Sequence, residues 1–424
     1  MRPPIRPGGS QVYWIVACLA LVLPAQALAQ AGVLDTSFSG DGRVVTEFTP
    51  RFDAAVDVAA QSDGKLVAAG WAFGQGYRFA LARYDADGTL DPTFSGDGKA
   101  TTNFTSGVDF ALDVALQSDG KIVLVGRAGG QGGRFAVARY NADGTLDATF
   151  SGDGRAMTNF TPGDDVAYDV VVQADGKIVA GGQAAGKGGR LALARYNVDG
   201  TLDASFSGDG RTMTNFTAGV DYVDALAVQA DGKIVAAGTS NWNRPGSRIA
   251  LARYNDTGTL DASFSGDGRL ATNFTTPFDG AFGVAVQPGD QRIVVVGQAG
   301  RRFVVLRYGP GGALDPTFSG NGSVTTRFSA GWDYAEDVEL QTDGKIVVAG
   351  SANYFGQTTF AVARYEANGS LDTTFSGDGK TTTNFGAGRD SAYGLALQPA
   401  DGKIVVAGDA GGARRFALAR YHAG

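Results

Sequence analysis

From residue 32 onward the chain alternates short apolar runs with Gly-, Asp- and Ser-rich punctuation. The clearest instance is Val56-Asp57-Val58-Ala59-Ala60-Gln61-Ser62-Asp63-Gly64-Lys65-Leu66-Val67-Ala68-Ala69-Gly70, two Val/Ala-rich runs around an Asp-Gly turn. Asp tolerates the left-handed backbone such a turn needs and Gly adopts it freely, so the stretch predicts a β-hairpin. The hairpin returns with its Gln at 61, 117, 173, 229, 287, 341 and 398. No long stretch places apolar residues at helical spacing, which excludes helical repeats.

A second marker, Phe-Ser-Gly-Asp-Gly, begins at Phe38, Phe94, Phe150, Phe206, Phe264, Phe318 (with Asn321 for the Asp) and Phe375, at spacings of 56, 56, 56, 58, 54 and 57 residues. Periods of this length mark solenoids, arrays or propellers. Each period holds four strand candidates, at 42–48, 54–61, 65–72 and 78–84 in the first. Seven such units predict an all-β, seven-bladed propeller of four-stranded antiparallel blades spanning 30–424. If the blade order is 54–61, 65–72, 78–84 and 99–104, then 42–48 is an orphan outer strand and the C-terminus lacks one. An N-terminal strand completing the last blade would close the ring and remove two sticky edges. An open β-solenoid is the competing architecture.

Composition sharpens this picture. A chain of 424 residues with 64 Gly and 43% hydrophobic residues suits many short strands, not disorder. Residues 1–29 read as a secretory signal peptide: Arg2 and Arg6, an apolar stretch over 12–23, and the small-x-small site Ala27-Leu28-Ala29. The apolar stretch is shorter than a membrane span, so no integral span is expected, and the destination is secreted or periplasmic. Ile15-Val16-Ala17-Cys18 loosely matches a lipoprotein box. Cys18 is the only cysteine, so the mature chain would have no thiol chemistry. Losing Arg2 and Arg6 takes the net charge of −7 to about −9, which argues against nucleic-acid binding.

Units such as Leu90-Asp91-Pro92-Thr93-Phe94-Ser95-Gly96-Asp97-Gly98, the Gln-x-Asp-Gly-Lys hairpin and Arg-Phe-Ala-Val-Ala-Arg-Tyr resemble the delta-60 repeat family. The resemblance covers nearly all of the mature chain. It implies a bacterial, exported propeller of uncharacterised role and carries over no catalytic residue. The hairpin is also loosely similar to NHL-type propeller repeats.

A four-stranded meander sorts its loops by face. The first-to-second and third-to-fourth connections share one face and are nearly constant between copies. The second-to-third loops and inter-blade links share the other, and they vary. Trp71, Trp242 and Trp332 all fall on this variable face, with Phe73, Tyr77, Tyr222, Arg244, Phe278, Tyr334, Tyr354, Phe355 and Arg389. Aromatics mixed with Asn and Arg suit a glycan or a protein hot spot; the bland alternative is that they seal blade ends. Asp53, Asp109, Asp165, Asp221, Asp279, Asp333 and Asp390 each lie eight residues before the hairpin Gln. They predict a ring of carboxylates at the channel mouth, either an axial cation site or, the reading adopted, structural acceptors for their own links. Arg83, Arg139, Arg195, Arg253, Arg307, Arg364 and Arg420 are matched by Asp91, Asp147, Asp203, Asp261, Asp315, Asp372 and Asp35, which predicts a buried ion pair in each blade. Asp85-Ala86-Asp87-Gly88 resembles the start of a calcium loop, yet in another copy the acids become Gly309 and Gly311, so it reads as a turn.

The one histidine, His422, allows no Ser-His-Asp triad, Cys-His pair or His-rich zinc site, and no phosphate-binding glycine fingerprint is present. No cofactor and no metal is expected, and a monomer is favoured. Three functional readings stand. The first is an exported binding or adhesion module with a glycan or surface-protein ligand on the variable face. The second is a carboxylate-based polysaccharide hydrolase or lyase using acids such as Asp164 and Glu336. The third is a pure scaffold.

Overall fold

Residues 30–424, except 75, 186–187, 243, 245, 275–277 and 355, are described by a computed structural model. The expected leader lies outside the described residues. Twenty-eight strands form seven antiparallel sheets of four, arranged as a closed seven-bladed propeller. In the first blade the order from axis to rim is Asp53–Ala60, Leu66–Gly74, Gly76–Tyr84 and Lys99–Thr102. The last blade takes Ser391–Leu397, Ile404–Ala410 and Arg415–Tyr421 from the C-terminus and its outer strand, Arg43–Thr46, from the N-terminus. The closing register pairs Arg43 with Ala419 and Thr46 with Phe416. This is the ring expected from the orphan strand, and it excludes the solenoid. Among the described residues no helix is long and apolar enough to cross a membrane.

The strands are short because each period must return to the axis within about 56 residues. Their two middle strands are buried on both faces and so read as continuous apolar runs, not alternations. The core is correspondingly divided into blade-to-blade layers. Between the last and first blades, Ala55, Val58, Leu66 and Ala68 pack against Val405, Ala407, Phe416 and Leu418. A buried tyrosine crosses each seam: Tyr84 Oη donates to Thr46 Oγ1 at 2.7 Å, and Tyr140 Oη to Thr102 Oγ1 at 2.8 Å.

A guanidinium holds each blade to the next. Arg139 Nε donates to Asp147 Oδ2 at 2.7 Å, Nη2 to Thr149 Oγ1 at 3.1 Å, and Nη1 to the Val198 carbonyl of the following blade at 2.6 Å. Its carbon lies 4.7 Å from the Phe150 ring centroid. The same stack recurs at all seven arginines, and Arg420 joins Asp35, Phe38 and the Ala86 carbonyl across the closure. Burial by itself would raise the Asp147 carboxyl; the Thr149 hydrogen bonds and the Arg139 charge overcome it and hold the group below the usual carboxylate range.

Arg139→Ala leaves Asp147 buried without a counter-charge and is expected to cost about 3–5 kcal/mol. Arg139→Lys should recover only part of this, lacking the planar fork. Denaturant midpoints check both, and a loss below about 1 kcal/mol would place the pair among weak surface bridges.

Candidate functional site

The inner strand of every blade contains a β-bulge. In the first blade pairing skips from Ala55 to Asp57, leaving Val56 unpaired. The skipped residues in the other six are Leu112, Tyr168, Asp224, Phe282, Glu336 and Tyr393. A glycine on the neighbouring strand accommodates the distortion: a Cβ at Gly70 would lie 1.9 Å from the Ala54 carbonyl oxygen. A bulge re-aims its side chain, and all seven of these residues line an axial cavity of about 1570 Å³. The residues following the bulge add Asp57, Asp113, Asp169 and Asp337 to the lining, and Glu339 lies further along its strand.

Seven carboxyl groups therefore face one another across the axis. Among the described residues none of them forms an ion pair. One oxygen of each aspartate after the bulge accepts a backbone N–H from the next blade: Val170 N to Asp113 Oδ2 at 2.7 Å, and Leu395 N to Asp337 Oδ2 at 2.8 Å. Asp113 lies between Asp57 and Asp169, and once protonated its hydroxyl can donate to one or the other. These side chains are half-buried, and burial disfavours their charged forms. Burial pushes Glu336 up to about 7. Burial, with the Asp57 charge added, takes Glu339 to about 7. Asp57 rises to about 6, again mainly through burial. Asp113 and Asp337 lie well above the ordinary range through burial and then their neighbours' charges. Asp224 is raised in the same way, with Glu336 as its principal charged neighbour.

The seven aspartates expected at the channel mouth do not line it. Each is buried and turned back into its own link. Asp53 accepts from Phe48 N at 2.9 Å, Thr49 N at 2.8 Å and Thr49 Oγ1 at 2.9 Å. Asp109, Asp165, Asp221 and Asp333 repeat the pattern with Thr105, Thr161, Thr217 and Ser329. Asp279 accepts from Phe274 N, and Asp390 from Phe385 N, each at 2.8 Å.

The aromatic candidates form three groups on the variable face. Trp71, Phe73 and Tyr77 are half-buried with Phe110 at the seam of the first two blades; the Trp71–Tyr77 centroids are 5.1 Å apart. Tyr222, only 9% exposed, is packed between Tyr168 and Trp242, which is 44% exposed. Trp332 stacks on Tyr334 at 6.3 Å and meets Phe278, 41% exposed, at 6.1 Å, with Arg301 5.2 Å from its ring. Arg244 and Arg389 are exposed. Phe355 and the side chain of Tyr354 lie outside the described residues.

Asp164 and Glu336 do not form a pair. Asp164 accepts from Arg127 Nη2 at 3.0 Å and from Gly133 N at 2.8 Å, which together hold its carboxyl low, while Glu336 faces the axis. The calcium-like loop is an Asx turn, Asp87 Oδ1 accepting from Thr89 N at 2.9 Å and Oγ1 at 2.7 Å. Sequence pattern alone does not single out Asp224, Glu339 or the aspartates after the bulge as axial. The signal that could have found Asp224 is the position five before each hairpin Gln. It reads Val, Leu, Tyr, Asp, Phe, Glu, Tyr among copies otherwise alike.

The axial carboxyls make stability depend on pH in a defined direction. Glu336 and Glu339 at about 7 and Asp57 at about 6 sit above their unfolded values. The stability they contribute is complete below about pH 4 and is lost as pH rises through their folded values. The thermal midpoint should fall from about pH 5 to about pH 8, and Glu336→Gln with Glu339→Gln should flatten that slope. A midpoint that rises over the window would contradict the assignment.

Comparison with known proteins adds a family but no activity. A search of curated proteins gives no match. Solved structures similar to this chain include a Dyadobacter fermentans protein of unknown function (14% identity, 90% of this chain and 98% of that one, TM-score 0.49). Sqt1 from Chaetomium thermophilum (14%, 85% and 80%, TM-score 0.46) is another. A third is a gluconolactonase from Xanthomonas campestris (14%, 88% and 100%, TM-score 0.41). At these identities and scores none of the three lends this chain a function. A profile described as "Domain of unknown function (DUF5122) beta-propeller" matches residues 61–94, 117–150, 173–206, 229–264, 289–318, 341–375 and 400–424. These seven segments fall one to a blade and cover more than half of the chain, which thus belongs to the DUF5122 β-propeller family.

Proposed function

We propose that this chain is an exported binding module whose variable-loop face takes up a glycan of the cell envelope. The observation that carries the reading is the group formed by Phe278, Trp332 and Tyr334, with Trp242 exposed on the same face. Blade architecture is the same in every unit, so it does not require these rings where they stand. An exposed indole offers a flat apolar surface to the apolar face of a pyranose, and Arg301 and Arg244 supply donors for its hydroxyls. The Trp71 group, in which no ring is as exposed as Phe278 or Trp242, suits the sealing role instead. Export is supported by the charged, apolar and small-residue order of 1–29, and it leaves a secreted or periplasmic destination open.

Intrinsic tryptophan fluorescence, titrated with envelope polysaccharides and peptidoglycan fragments, tests the reading. A saturable shift is expected, weakened about tenfold or more by Trp332→Ala or Trp242→Ala and far less by Trp71→Ala. Absence of any shift in the folded protein would favour the scaffold reading.

A further inference from the structure

The axial cavity holds a concentration of carboxyl groups for which the described residues supply no cationic partner. Asp224 and Glu336, both at the bulge level, accept no hydrogen bond among the described residues, and Asp224 Oδ2 is shielded from solvent. Buried carboxylates elsewhere are paired with a cation, as Asp147 is with Arg139, or held by several hydrogen bonds, as Asp53 is. The two cations at the cavity's lower opening are already committed: Lys345 to Glu366 at 2.6 Å and Arg364 to Asp372 at 2.7 Å. An unpaired buried carboxylate is costly, so a cation entering this cavity would gain what the fold leaves unsatisfied.

The shape of the site selects the kind of cation. Among the described residues no three of these carboxyls converge closely enough to hold one metal ion. They are instead spread in depth: Glu339 lies three residues beyond Glu336 on the same strand, or about 10 Å at the usual strand rise. Tyr168, Phe282 and Tyr393 stand among them and present ring faces and apolar surface. Separated anionic levels with aromatic and aliphatic wall between them match a ligand of separated cationic groups joined by methylenes. We propose that the axial cavity binds a linear di- or polyamine, with Asp224 and Glu336 receiving one ammonium group and Glu339 another. The site uses no residue of the glycan-binding rim, so either assignment can fail alone.

Calorimetric titration of the full chain with spermine, spermidine and putrescine, with calcium chloride as the comparison, tests this. Saturable binding that weakens as amino groups are removed is expected, and spermine should raise the thermal midpoint of the wild-type protein. Asp224→Asn combined with Glu336→Gln should weaken spermine about tenfold or more, whereas Asp164→Asn, at an exposed carboxylate, should not. No heat and no thermal shift with spermine would overturn the proposal. So would an equal loss in Asp164→Asn, or calcium binding tighter than spermine.

Discussion

The propeller depends on a guanidinium that belongs to two blades at once. In every unit the third-strand arginine is fixed within its own blade by an aspartate and a phenylalanine face, and its remaining nitrogen reaches the next blade. Six of the seven reach a backbone carbonyl. Arg195 instead meets the Asp256 carboxylate at 2.6 Å. Because the fork is planar and its donors are directional, each contact sets the rotation between neighbouring blades as well as holding them together. A ring closes only if seven such rotations sum to a full turn, so an error in one blade would be transmitted to the closure between Arg420 and Asp35. That requirement explains why the arginine and its aspartate are present in all seven copies while surrounding loops differ.

With blade geometry held by the third strands and the segments after them, the inner strands are free to carry differences. The bulge makes this possible in a specific way. It leaves a residue outside the ladder and aims it at the axis, so its identity does not affect strand pairing. The opposing glycine, Gly70 in the first blade, is the fixed part of the device; the bulged residue is the variable part. Seven identical backbones can thus present a cavity wall with no sevenfold symmetry.

The same device explains what could be read in the chain beforehand. Blade number, strand order and ring closure were legible because they rest on period, turn chemistry and strand count, each repeated seven times. The arginine–aspartate pairs were legible because both partners recur. The aromatic face was legible because it departs from an otherwise uniform repeat. The axial acids were not, since locating them required the exact alternation of side chains along the inner strand, and the bulge breaks that alternation between Ala55 and Asp57. Asp53 was legible as an acceptor for its own link but not in its direction. Its position at the strand entry pointed to the mouth, but Thr49 and the link amides offered its carboxylate four hydrogen bonds away from the axis, counting that from Phe73 N at 3.3 Å.

Three small residues complete the asymmetry. Where four blades carry aspartate after the bulge, the fourth, fifth and seventh carry Ala225, Gly283 and Gly394. A Cβ at Gly394 would lie 2.5 Å from the Asp57 Cα, and one at Gly283 would lie 3.0 Å from the Glu336 carbonyl oxygen. Aspartate at either place would not fit without displacing the neighbouring blade. With no side chain at Gly394 between them, Asp57 of the first blade is within electrostatic reach of Asp337 and Glu339 of the sixth. The acids therefore lie in one continuous, uneven band instead of a symmetric ring. A symmetric ring of carboxylates would favour a single ion on the axis. An uneven band, open at Phe282 and Tyr393, favours a ligand that has length and direction.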